Sequence, residues 1–79
     1  MALVERFEKS GRARQRLHDP VECGYSVFDV GQRRILQLDT YGSNYRVMPG
    51  KVSQSFQIDE AGAVALLRVI RQAFPSLQA

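Results

Sequence analysis

The middle of the chain alternates between apolar and polar residues and then changes to a helical period, and these patterns predict most of its elements. Val21, Cys23, Tyr25 and Val27 recur at every second position with Glu22, Gly24 and Ser26 between them, which predicts a half-buried strand over 21–30. The apolar phase shifts at Phe28 and Val30, so that end requires either a bulge or a second, covered face. Asp29-Val30-Gly31-Gln32 reads as a turn with Gly31 available for positive φ, and it closes a short hairpin with the next strand. Over 33–41, Leu36 and Leu38 fall on one side as core. Arg33, Ile35, Gln37, Asp39 and Tyr41 fall on the other, which is mostly polar. Gly42-Ser43-Asn44 and Met48-Pro49-Gly50 bracket a loop holding Tyr45 and Arg46, and Pro-Gly predicts a type II-like turn that reverses the chain. A third alternation follows over 51–58, with Val52, Phe56 and Ile58 toward the core and Lys51, Ser53, Ser55 and Gln57 outward. Gln54 falls on the core side, where it needs a hydrogen-bond partner.

At Asp59 the period changes. Asp59 is placed as an N-cap with Glu60 near the positive end of the helix dipole. Ala63, Leu66, Leu67, Ile70, Ala73 and Phe74 then form one apolar stripe, with Arg68, Arg71 and Gln72 away from it, and Pro75 ends the helix. Val64 and Val69 widen the stripe, as a helix packed on both a sheet and a second subunit requires. The predicted fold class is α+β: an antiparallel sheet of three to four strands followed by one C-terminal amphipathic helix. Ahead of it, residues 1–19 form a basic N-terminal arm. Leu3, Val4 and Phe7 at helical spacing predict one or two turns of helix there, stopped at Ser10-Gly11, and 11–18 show no period. Pro20 favours extended geometry before it and opens the ordered domain of 20–79.

Length and charge sharpen this picture. A domain of 79 residues buries only about 60% of the surface of its unfolded chain. Its single cysteine, Cys23, excludes an internal disulfide, so a partner subunit is the expected reinforcement, most simply in a homodimer. One cysteine and no apolar run long enough to span a bilayer point to a reducing, cytoplasmic setting with no membrane partner. The formal charge of +3 is concentrated in the arm, where Arg6, Lys9, Arg12, Arg14 and Arg16 outnumber Glu5 and Glu8. Such an arm suits a polyanion such as nucleic acid, and suits equally a solvated tail.

Catalysis and metal binding find little support. His18 is the only histidine, and no cysteine or second histidine stands at metal-ligand spacing, so no metal and no cofactor are expected. Alternation places Cys23 among Val21, Tyr25 and Val27, where a buried, inert thiol is expected. Asp29, Asp39 and Asp59 have turn, strand and capping positions, and Pro49-Gly50-Lys51 lacks the spacing of a phosphate-binding loop. An enzyme is not expected.

Binding is the better class. The outward faces of the second and third strands combine Arg33, Gln37, Tyr41, Lys51, Ser53, Ser55 and Gln57, with Arg34 and Arg46 at the ends. Cations and hydroxyls hold phosphates, and an aromatic ring stacks an unpaired base for about 1–3 kcal/mol. A polar face of this kind is also what any one-sided antiparallel sheet shows to water. Tyr41, Tyr45 and Met48 near one loop equally suit a subunit interface.

The arrangement over 21–74 resembles the transcriptional positive cofactor four family: a hairpin, an aromatic-ended strand, a loop, a Pro-Gly-basic turn with serine close behind, and a C-terminal helix. Pro49, Gly50 and Lys51 match the family's turn, Ser53 or Ser55 its serine, Tyr41 its aromatic strand end, and Leu66 and Ile70 its helix stripe. Where the family has a second basic residue and a glycine, this chain has Val52 and Ser53, and the family's tryptophan near Tyr41 is absent. The resemblance implies a curved sheet backed by the helix, a homodimer built through helix and sheet, and single-stranded DNA across the open sheet face. The expected function is therefore non-catalytic binding of single-stranded DNA or RNA in transcription or DNA processing. Arg33, Arg34, Arg46 and Lys51 would meet phosphates, with Ser53 and Ser55 in support and Tyr41 stacking. The rival expectation is a protein-interaction or accessory module of a nucleic-acid-processing complex.

Overall fold

The computed structural model describes residues 1–12, 14–42 and 52–77. They form an α+β fold with β1 (Ala2–Leu3), β2 (Cys23–Val30), β3 (Arg33–Thr40), β4 (Gln54–Ile58) and α1 (Glu60–Ala73). The strands make one sheet in the order β1-β4-β3-β2. Its β2–β3 and β3–β4 pairs are antiparallel, and β1 runs parallel to β4.

The β2–β3 hairpin is closed by Gly31 and Gln32. Gly31 has φ +61° and no non-glycine described residue is positive, which fits a turn that needs glycine at its first central position. Pairing then runs unbroken from Val30 opposite Arg33 to Cys23 opposite Thr40. No bulge accommodates the change of apolar phase at Phe28. Tyr25 and Val27 therefore share one face of β2, and Phe28 and Val30 the other.

Apart from the Tyr41 ring at Gly24, little of the described chain covers β2. Helix α1 packs over β3 and β4 and does not reach β2, so the expected half-buried strand is exposed: Tyr25 retains 77% and Val27 55% of their surface. Cys23 is exposed for the same reason, contrary to the buried thiol that alternation predicts.

The core is thin. Ile35 and Ile58 are its only buried hydrophobic side chains among the described residues, at 4% and 2% exposed, while Leu36, Leu38 and Phe56 are half-buried. Ile35 corrects the predicted polar face of β3. Register sets it directly opposite Phe28, and Arg33 and Gln37 lie on its face two residues to either side. Val52, just before β4, and Gln54, its first residue, both predicted to point inward, are exposed, so Gln54 needs no buried partner.

Helix α1 begins as predicted. The Asp59 carboxylate accepts the Gly62 N–H at 3.0 Å, a standard N-cap bond. Ala63, Leu66 and Ile70 are half-buried, whereas Leu67, Ala73 and Phe74 are exposed, so the end of the apolar stripe extends past its cover. Gly62 is buried because the chain crosses it closely. A Cβ there would stand 3.1 Å from the Val4 carbonyl oxygen and 3.3 Å from Ile58 Cβ.

The predicted N-terminal helix does not form. Ala2 and Leu3 pair with Phe56 and Gln57, and the Val4 N–H donates to the Gln57 carbonyl at 2.8 Å. The open edge of β4 satisfies these backbone groups, which a two-turn helix of this length does only marginally. Among the described residues no helix is long and apolar enough to cross a membrane.

Candidate nucleic-acid interface

Adjacent residues of a strand point to opposite faces, and this divides the two arginines at the start of β3. Arg33 reaches the helix cap, its guanidinium 3.0 Å from the Asp59 carboxylate. Arg34 lies on the other face, 3.1 Å from Asp29, the residue directly opposite it on β2. Each is committed to an acid. The Arg34 guanidinium is held above its ordinary pKa, first by that hydrogen bond and then by the charge of Asp29. The Asp59 carboxyl is held below the usual carboxylate range, first by the Gly62 N–H and next by Arg33.

The predicted polar face exists, and its centre is a hydrogen-bonded network. Ser55 Oγ donates to Asp39 Oδ1 at 2.5 Å, and Gln37 Nε2 donates to the same oxygen at 3.0 Å. Gln57 Nε2 donates to Gln37 Oε1 at 2.8 Å. Asp39 is directly opposite Ser55, and Gln37 opposite Gln57, so the β3–β4 register assembles the cluster. Sequence alternation put these residues on one face but could not reveal Asp39 as the hub, because that depends on register. Ser55 is thus tied to a carboxylate. Ser53 lies just before β4, exposed, with its backbone N–H donating to the Thr40 carbonyl at 2.6 Å.

Tyr41 follows β3, half-buried, and its backbone N–H donates to the Glu22 carbonyl at 3.2 Å. The ring lies across Gly24. A Cβ on Gly24 would overlap the Tyr41 hydroxyl and come within 3.0 Å of Cε2. Gly24 is therefore a position the sequence reading passed over, where glycine leaves room for an aromatic ring. Arg46 and Lys51, with the Pro49-Gly50 turn and Tyr45, lie outside the described residues.

The basic arm contrasts with β3. Lys9, Arg12, Arg14 and Arg16 are exposed, and among the described residues none of them joins an ion pair. Arg12, Arg14, Gln15, Arg16 and His18 together line an open hollow of about 570 Å³. No group of three His, Cys, Asp or Glu side chains among the described residues is placed to hold a metal ion. Comparison with known proteins returns no similar family model, no similar curated protein and no similar solved structure.

Proposed function

We propose that this chain is a non-catalytic module that binds single-stranded or locally melted nucleic acid in the cytoplasm, with the basic arm as its electrostatic hold. The observation that carries this reading is the arm itself: exposed over 9–12 and 14–18, outside any helix or strand there, and rich in cations without acidic partners among the described residues. Phosphates gain most from cations that have no protein carboxylate to give up, which favours Arg12, Arg14 and Arg16 over Arg33 and Arg34. Arg46 and Lys51 belong to the same proposal by sequence. Tyr41 supplies the stacking surface, held by Gly24, and the resemblance to the positive cofactor four family supports a single strand over a duplex.

The test is fluorescence anisotropy with a labelled oligonucleotide at low salt. The single strand should bind more tightly than the matching duplex, and absence of binding to both contradicts the proposal. A second reading, a protein-interaction module, is favoured by one specific observation, the uncovered apolar surface of β2.

A further inference from the structure

We propose that β2 is the joining edge of a homodimer, in which two copies pair β2 with β2 antiparallel across a twofold axis at Ser26 and make one eight-stranded sheet. The inference is independent of nucleic-acid binding. It also differs from a dimer built through the helix, since α1 takes no part in this contact.

The argument begins with what β2 lacks. One edge is paired with β3, the other edge has no partner among the described residues, and α1 reaches neither face. Sheet proteins protect such an edge by making it short, bulged, or studded with lysine or proline. Strand β2 is eight residues long, pairs without a bulge, and contains no lysine, arginine or proline. Its one charged residue, Asp29, is occupied by Arg34 at 3.1 Å.

Hydrogen-bond direction then fixes which residues can pair. The Glu22 carbonyl accepts from Tyr41, and Val30 and Arg33 flank a two-residue loop, so the even residues 22–30 direct their backbone groups at β3. Cys23, Tyr25, Val27 and Asp29 direct theirs outward. A twofold axis normal to the sheet preserves its faces and matches odd residues only with odd residues. Centred on Ser26, it sets Tyr25 opposite the partner's Val27 twice over, an aromatic and β-branched pair of the stabilising kind. It sets Asp29 opposite the partner's Cys23 and Glu22 opposite the partner's Val30, so no acid faces an acid. Centred on Val27 instead, it would leave Tyr25 opposite the partner's Asp29.

The charge distribution suits a second copy. Strand β2 carries no cation and its single acid is already paired, so joining β2 edges in this register sets no like charges opposite one another. The contact also sets each exposed Tyr25 beside the partner's Val27, which removes part of the apolar surface that a core with two buried hydrophobic side chains leaves open. Isologous contact of one patch with itself closes at two subunits.

Sedimentation velocity of the full chain over a range of concentrations, together with thiol crosslinking, tests the proposal. The unmodified chain should sediment as a dimer. Val27→Pro and Val27→Lys should each give a monomer, the first by removing an outward N–H and the second by placing charge at the edge. Circular dichroism checks that each variant folds. If Val27→Pro fails to fold, Val27→Lys, whose backbone is unaltered, decides the matter. With Cys23 replaced by serine, Ser26→Cys should crosslink across the axis on mild oxidation, because a non-hydrogen-bonded antiparallel pair has Cα atoms about 4.5 Å apart, within disulfide reach. A monomeric unmodified chain, or dimers that persist in a folded Val27 variant, would overturn the proposal. So would crosslinking at a Val27→Cys position but not at Ser26→Cys.

Discussion

Gly24 and Tyr41 show how one residue makes room for another. The Tyr41 ring crosses β2 where Gly24 has no Cβ, so the ring's position depends on that missing atom. Gly24→Ala forces the ring aside. Overpacking and the smaller entropy loss of alanine oppose each other, and the net cost should be about 1 kcal/mol, because a tyrosine at the end of a strand can swing away. Chemical denaturation measures that cost, and tyrosine ring shifts in NMR report the movement. If Tyr41 stacks a base, oligonucleotide affinity falls more than stability does. Tyr41 was legible in the sequence as an aromatic strand end, but Gly24 was not, since the contact is made across the sheet between residues seventeen apart. Ile35 was misplaced for a related reason. Alternation assigns a residue to a face, yet only the register with Phe28 and the neighbouring Arg33 and Gln37 shows that this part of the polar face is buried.

Among the elements, α1 depends most visibly on a single group. Asp59 caps it through Gly62 and holds Arg33, and both interactions require the carboxylate or favour it over the acid. Because the folded pKa is depressed, the associated stability is fully present above the unfolded carboxyl value of about 3.9. It is lost as pH falls through the lower folded value. Thermal melts should therefore show Asp59→Asn below the unmodified protein at pH 7, with the gap closing on acidification. Asp59→Ala, which lacks a capping oxygen, should melt about 4–8 °C lower at neutral pH. A gap that stays constant to pH 2 would contradict this assignment.

The helix, its cap and the hairpin were legible because local chemistry dictates them: a 3.6-residue stripe, an acidic cap, and glycine where φ is positive. The first residues were not. Leu3, Val4 and Phe7 have helical spacing, but the open edge of β4 provides backbone partners that no local pattern can report. Strand β2 was legible as a strand but not in its exposure, which follows from where α1 ends up packing.

At the scale of the whole molecule, a thin core, an open strand edge and a charged arm occur together in one small chain. Length alone indicated that the core would be marginal. The position of the open strand came only with the sheet order, which sets β2 at one edge and β1 at the other. In a dimer joined through β2, seven strand spacings separate the two β1 strands, roughly 34 Å at about 4.8 Å each. The two arms of one dimer would bind a strand bivalently only if it is long enough to reach both.

The central claim is that the arm, rather than the arginines of β3, holds the phosphates. The most direct measurement is the salt dependence of oligonucleotide affinity for the unmodified protein and for a variant with Arg12, Arg14 and Arg16 replaced by alanine. Three lost phosphate contacts should make the slope of log affinity against log salt shallower by about 2 for a single strand, with weaker binding at low salt. Replacing Arg33 and Arg34 should change the slope far less, since each already holds an acid. An unchanged slope in the arm variant, or a larger change from Arg33 and Arg34, would contradict the account.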